Sequence, residues 1–385
     1  MTVRPLSPVA SVHLDAIRGV AALLVAASHV RLLFLVHWTA LEPRWQTPSV
    51  AAFYALTALG HQAVVVFFVL SGFLVGGAAI RAVQTGHWST VDYAAARTSR
   101  LYTVVVPALA LTLLADSVSR SLPGGAAWFT QPIAAFSDTP VAERSGVWTL
   151  LGNLVFLQTI TVPAFGSNMA LWSLANEFWY YVAFPPLALG LGAAGATTRL
   201  AWAAGAIGLW LVLPSFLLVG FAVWLLGAGV AMLSARMQVG TMWRVLTGLL
   251  LAATVGAGVL NRIPSAAADP VLGVAFAAWL LALVARTDDE GPTGVVVTGI
   301  RGLASMSFSL YAVHLPLAML LRVWWGGPAA VPDAFGVLLV AGTLGVAGIG
   351  AAAFWRVFEA RTPDMRRMLA RFASVGDAPF VQGAP

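Results

Sequence analysis

Leu14-Asp-Ala-Ile-Arg-Gly-Val-Ala-Ala-Leu-Leu-Val-Ala-Ala-Ser-His-Val-Arg-Leu-Leu-Phe-Leu-Val36 is the stretch on which the fold turns. It is apolar over more than the roughly 20 residues that a helix needs to cross a ~30 Å hydrocarbon core. Yet it carries Asp15, Arg18, His29 and Arg31. An ionisable side chain inside a bilayer costs on the order of 3 kcal/mol, so one that persists there marks a site. The stretch therefore implies a membrane fold and a function held inside it.

The rest of the chain agrees. Of its 385 residues 59% are hydrophobic and 9% charged, with a mean hydropathy of +0.86, too little charge to cover a soluble surface. A net charge of +6 would suggest a nucleic-acid partner in a soluble protein. Here every basic residue is an arginine and their placement follows topology, so no nucleic acid is expected. The absence of cysteine excludes disulfides, thiolate catalysis and cysteine-ligated metals, and no metal site is expected. Met1–Val12 is short and weakly basic, and the apolar run after it is too long for a signal peptide, so it reads as a retained first span.

Ten spans follow: Leu14–Val36, Gly60–Ile80, Leu101–Ala115, Leu171–Leu191, Leu200–Leu213, Phe216–Leu233, Trp243–Leu260, Val271–Ala285, Leu303–Trp324 and Phe335–Phe358. Val147–Val162 is an ambiguous eleventh, and the positive-inside rule decides against it. With that stretch not crossing, most arginines fall on one side, among them Arg81, Arg97, Arg100, Arg236, Arg301 and Arg361. The expected fold is an all-α, polytopic ten-helix bundle with both termini cytoplasmic. Residues 1–362 form one membrane domain, and 363–385 form a tail, basic on anionic headgroups and then disordered. Asp116–Met169 is the longest outer loop, while Asp288, Asp289 and Glu290 sit in a solvated inner turn. No internal repeat of the transporter kind is visible.

Several polar residues inside spans need individual readings. Arg18 and His29 are three helical turns apart on one face, ~16 Å along the axis. Asp15 is placed to pair with Arg18, which a plain interfacial ion pair explains equally well. Counting rises along each helix puts His29, Glu177 and His314 at similar depth from three helices. Three titratable groups in one layer look like a site. Ser71, in Phe67-Phe-Val-Leu-Ser71-Gly72, reads first as helix packing through small residues. Arg97 and Arg100 share a helix face; they are either membrane-edge anchors or a fork for phosphates.

These blocks, in this order, resemble acyltransferase family 3. The resemblance rests on Leu14-Asp15-x-x-Arg18-Gly19, Arg18…His29, Phe67-Phe68-x-x-Ser71-Gly72, Arg97-x-x-Arg100, Trp172-Ser173-Leu174-x-x-Glu177 and Ser307-x-x-Leu310-Tyr311-x-x-His314. Each motif alone is weak, but the ordered set spans residues 14 to 316. Ala16 stands where the family usually has glycine, and the hydrolase domain that many members carry has no counterpart here.

The resemblance implies an O-acyltransferase of a bacterial plasma membrane. It would move an acyl group, acetyl in the first instance, from acyl-CoA to a hydroxyl of a carbohydrate, cell-envelope glycan or secondary metabolite. No cofactor is held permanently; acyl-CoA is the co-substrate, membrane lipids surround the chain, and dimerisation is left open. His29 is implied as the catalytic histidine, with Glu177 orienting it or holding the acceptor. Arg97 and Arg100, joined by Arg18, would bind the donor, and His314, Ser71 or Tyr311 would serve the oxyanion or orient the acceptor. The rival reading is a proton-coupled exporter of a polar or lipid-linked solute, since Asp, Glu and His in one layer also suit a proton relay.

Overall fold

The computed structural model of the protein describes residues 6–133, 136–193, 195–285 and 294–375. The acidic run at 288–290 and the low-complexity end from 376 lie outside the described residues, as does Arg4.

The helices are α1 Pro8–Phe34, α2 Pro48–Thr57, α3 Gly60–Ser71, α4 Gly77–Gln84, α5 Thr90–Ser121, α6 Gly125–Thr130, α7 Val147–Leu154 and α8 Trp172–Gly192. They continue as α9 Ala196–Val212, α10 Ser215–Leu233, α11 Thr241–Val259, α12 Ser265–Val284, α13 Val295–Ser305, α14 Ser307–Trp325, α15 Ala334–Val357 and α16 Thr362–Val375. Among the described residues, eight helical stretches are long and apolar enough to cross a membrane: α1, Pro48–Gln84, α5, α10, α11, α12, α14 and Ala334–Arg371. The protein is an all-α, multi-pass membrane protein. Each of the ten expected spans falls on a helix; α8 and α9 are the two outside those eight.

Large apolar side chains such as Leu211, Leu249, Leu338 and Ile349 lie exposed on the outside of the bundle, as a hydrocarbon solvent requires. Local chemistry sets the helix starts. Ser7 caps α1 by accepting from the Ala10 amide at 3.2 Å, with Pro8 in the first turn. Ser89 caps α5 at the Asp92 amide, so that helix begins eleven residues before its expected apolar core and carries Arg97 and Arg100 within it.

Helix α14 lies deep in the bundle, packed among α1, α5 and α15, with every residue from Ser309 to Pro316 buried. Arg97 and Arg100 mark one end of the bundle, termed here the arginine end. The long segment after α5 covers the far end and is no simple loop. Val147–Val162 is helical only to Leu154; Phe156 (φ 59°) and Thr159 (φ 70°) then reverse the chain, so it does not run on as a span. Beyond it the chain dives inward. Asp116, buried on α5, accepts from the Ser167 amide at 2.9 Å and the Ser167 hydroxyl at 2.6 Å. Gly166 makes this possible: its φ is +57°, and a Cβ there would lie 2.3 Å from Asp116 Oδ2. Asn168 donates to Thr112 Oγ1 at 3.1 Å and to the Ala312 carbonyl of α14 at 2.8 Å.

Candidate functional site

That inward dive decides the layout of the site. Helix α8 starts at Trp172 inside the bundle rather than at its surface, because Phe165, Ala170 and Leu171 are already buried. Ser173, in its first turn, bonds the Tyr311 hydroxyl of α14 at 2.6 Å. Glu177 lies one turn from Ser173 toward the arginine end, and His314 nearly one turn from Tyr311 toward the far end. At 1.5 Å per residue, Glu177 and His314 differ by ~10 Å in depth. The single layer expected for His29, Glu177 and His314 is therefore two layers. Counting rises from an assumed surface start placed Glu177 too far out.

The far layer is a histidine pair. His29 Nδ1 and His314 Nε2 are 2.8 Å apart, with the rings stacked at 5.1 Å between centroids. His314 Nδ1 lies 2.9 Å from the Leu310 carbonyl, which can only accept. With neutral rings this fixes every role. His314 carries its proton on Nδ1, its Nε2 accepts from His29 Nδ1–H, and the lone pair of His29 is left on Nε2. Phe136 meets the His29 ring edge-on at 5.2 Å. Glu177 does not touch His29; the orienting partner is His314.

The nearer layer lines a cavity of about 370 Å³. In its wall the Ser71 hydroxyl donates to Glu177 Oε1 at 2.7 Å, and the Tyr181 hydroxyl donates to the same oxygen. The Trp224 indole N–H donates to Ser71 Oγ at 3.1 Å. Two glycines permit this contact. A Cβ on Gly72 would lie 1.8 Å from the Trp224 carbonyl, and one on Gly227 would lie 1.9 Å from that of Val69. The chain just past Ser71 widens into a π-helical turn, Gly72–Gly76, a feature frequent at functional sites. Ser71–Gly72 thus combines a polar group for the cavity with the packing function expected of small residues.

The same wall holds three arginines. Arg97 lies over the rings of Tyr93 and Tyr181 at 5.8 and 5.7 Å, and Arg100 over Phe308 at 5.0 Å. Arg18 pairs with Asp15 at 3.5 Å and donates to the Ala304 carbonyl at 3.2 Å. All three line the cavity, as do Ser71, Glu177 and Tyr311; His29 and His314 do not. Tyr311 stands between the layers, its ring 6.1 Å from those of both Phe67 and His314.

The protons at this site are largely committed. Tyr311 gives its proton to the Ala170 carbonyl at 2.9 Å and accepts from Ser173. Both nitrogens of His314 are engaged, and the Ser71 proton points at Glu177. In this arrangement none of the three expected oxyanion donors has a free proton to offer. Tyr181, four residues after Glu177 on the same helix face, was within reach of sequence reasoning. Ser173 stood in a sequence motif without a role, and Trp224 gave no signal, because their partners come from other helices. Among the described residues, no three His, Asp or Glu side chains gather as a metal ion would require.

A largely apolar cavity with arginines and a few polar groups in its wall, inside an all-helical membrane bundle and beside a histidine pair, suits an acyl-transfer enzyme. Residues 12–352, most of the chain, match the family model described as Acyltransferase domain, and the protein belongs to that family, acyltransferase family 3, whose members are acyl-CoA-dependent O-acyltransferases. No curated protein and no solved structure gives a match.

Proposed function

We propose that the protein transfers an acyl group, acetyl in the first instance, from acyl-CoA to a hydroxyl of a carbohydrate, cell-envelope glycan or secondary metabolite. The observation that carries this is that one cavity is lined both by Arg18, Arg97 and Arg100 and by Ser71, Glu177 and Tyr311. Guanidinium groups in such a cluster suit the phosphates of a CoA donor. The pantetheine arm then lies along the cavity and carries the thioester toward Tyr311. An alcohol is too weak a nucleophile to attack a thioester unaided. His29 Nε2 is the free lone pair nearest the far side of Tyr311, and it acts as the base or as the group acylated in transit. His314 keeps that lone pair exposed by holding His29 Nδ1 as a donor. Glu177 holds the hydroxyls of Ser71 and Tyr181 and, through its second oxygen, an N–H or O–H of a substrate.

On this reading ten helices cross a bacterial plasma membrane with both chain ends in the cytoplasm. The arginine end faces inward, where acyl-CoA is made, and residues 363–385 follow the catalytic domain as a tail. Family membership favours catalysis over the exporter alternative.

The test is transfer of radiolabelled acetyl from acetyl-CoA in membranes holding each variant at matched expression. His29→Ala should abolish transfer while donor binding persists, and retained activity would sink the assignment. Arg97→Ala and Arg100→Ala should raise the KM for donor, by ~10-fold or more for a lost charge-assisted phosphate contact. An equal rise in both substrates' KM would make them anchors only.

A further inference from the structure

The short break between α13 and α14 holds three charged side chains from three other parts of the chain. Ala304 takes Arg18 on its carbonyl at 3.2 Å, and the Phe308 ring lies under Arg100 at 5.0 Å. Ser309 gives both its amide, at 3.1 Å, and its hydroxyl, at 2.5 Å, to Glu359 Oε2. Glu359 follows the end of α15, is 93% shielded, and lies in the field of Arg100 and Arg18. It forms no direct ion pair with either arginine among the described residues. A buried carboxylate held two side chains away from a cationic site, by neutral donors, is placed to weaken that site without filling it.

We propose that Glu359 is a counter-charge to the donor-binding arginines, and that it limits how tightly the spent CoA is held. The proposal rests on reading Arg97 and Arg100 as the donor's anchor. Bound CoA brings several negative charges to Arg18, Arg97 and Arg100. Glu359 repels those charges across the same bracket, so affinity is lower than three guanidinium groups alone would provide. Both donor and product carry the same phosphates, so a site without this brake loads well and empties slowly. Arg18 is already matched by Asp15 at 3.5 Å, so Glu359 acts chiefly through Arg100.

The sign of the effect separates this role from a structural one. Glu359→Gln keeps an oxygen that can accept from Ser309 and removes only the charge. CoA should then bind about thirtyfold more tightly at low salt, the order expected for one unit charge acting over roughly 8 Å at an effective dielectric near 20. The KM for donor should fall with it, kcat should fall as release slows, and the KM for acceptor should not move. A residue that merely braced α15 would give the opposite, weaker CoA binding.

The experiment is equilibrium binding of radiolabelled CoA to the purified full-length protein in detergent, over a salt series, for wild type, Glu359→Gln, Ser309→Ala, and Arg97→Ala with Arg100→Ala. Ser309→Ala serves if the glutamine variant fails to fold. It keeps the charge and frees the carboxylate to approach Arg100, so CoA should bind a few-fold more weakly. Equal or weaker binding by Glu359→Gln, or tighter or unchanged binding by Ser309→Ala, overturns the proposal. If the double arginine variant binds CoA as wild type does, the donor-site reading itself fails, and this inference with it.

Discussion

Gly72→Ala is the most demanding test of how this site is built. The added methyl would lie 1.8 Å from the Trp224 carbonyl oxygen, against the 3.0 Å below which real Cβ contacts essentially do not occur, so α3 and α10 must part by at least 1.2 Å. Neither partner is a flexible side chain that can step aside; both are backbone. Overpacking of this kind costs about 1–3 kcal/mol. The same displacement takes the Trp224–Ser71 hydrogen bond from 3.1 Å past the ~3.5 Å at which such a bond ceases to exist. Losing it adds about 1 kcal/mol. At roughly 2–4 °C per kcal/mol, the apparent Tm should drop by about 5 °C or more.

The measurement is thermal unfolding of the detergent-purified protein, followed by acetyl transfer at a temperature well below the variant's Tm. Gly229→Ala, on α10 but with nothing within 4 Å of its Cβ, is the control and should hold or gain stability. Transfer by Gly72→Ala should fall about tenfold or more, because Ser71 loses the donor that orients it toward Glu177. Wild-type Tm and activity in Gly72→Ala would refute the close crossing and the argument that it shapes the cavity.

Two further outcomes follow from the geometry. Asp116→Asn removes the charge from two hydrogen bonds with Ser167, worth about 1.5–3 kcal/mol, and should lower Tm by several degrees and transfer with it, since Ser167 leads into α8; an unchanged Tm on the same unfolding assay would contradict the pin. His314→Ala takes away the acceptor that fixes the His29 tautomer, so kcat should fall by about 10²-fold while CoA affinity stays within twofold; a loss confined to CoA binding would deny the pair its role.

The helices were legible because hydropathy is local: each expected span lies on a helix, including α8 and α9. The polar residues were legible as types, since Arg18, His29, Glu177 and His314 are conspicuous against apolar neighbours. Their grouping was not. Rise along a helix measures depth only from a known start, and the start of α8 depends on Asp116, Gly166 and Asn168, three residues that hold the preceding segment inside the bundle. No periodicity in 165–171 reports that burial. Trp224 and Glu359 were hidden for a related reason. A tryptophan in an apolar helix and a glutamate at a helix end are both ordinary until a crossing geometry sets one against Ser71 and the other against Ser309.

The direction of the protons narrows what the cavity can receive. Ser71 and Tyr181 both donate to Glu177, Tyr311 donates to Ala170, and Trp224 donates to Ser71, so this part of the cavity wall has spent its own donors internally. What it retains is acceptor capacity, on Glu177 Oε2 and on Ser173 and Tyr181 lone pairs. A thioester carbonyl, itself an acceptor, gains nothing there. An amide N–H of the pantetheine arm or the hydroxyl of an acceptor does. Developing negative charge on the thioester oxygen must then be met by a hydroxyl released when a substrate displaces it from Glu177. This route ties substrate binding to the appearance of an oxyanion donor, so it favours chemistry only when both substrates are present. Under it, Ser71→Ala and Tyr181→Phe should each depress kcat more than either KM, because each removes a proton that becomes available only in the ternary complex.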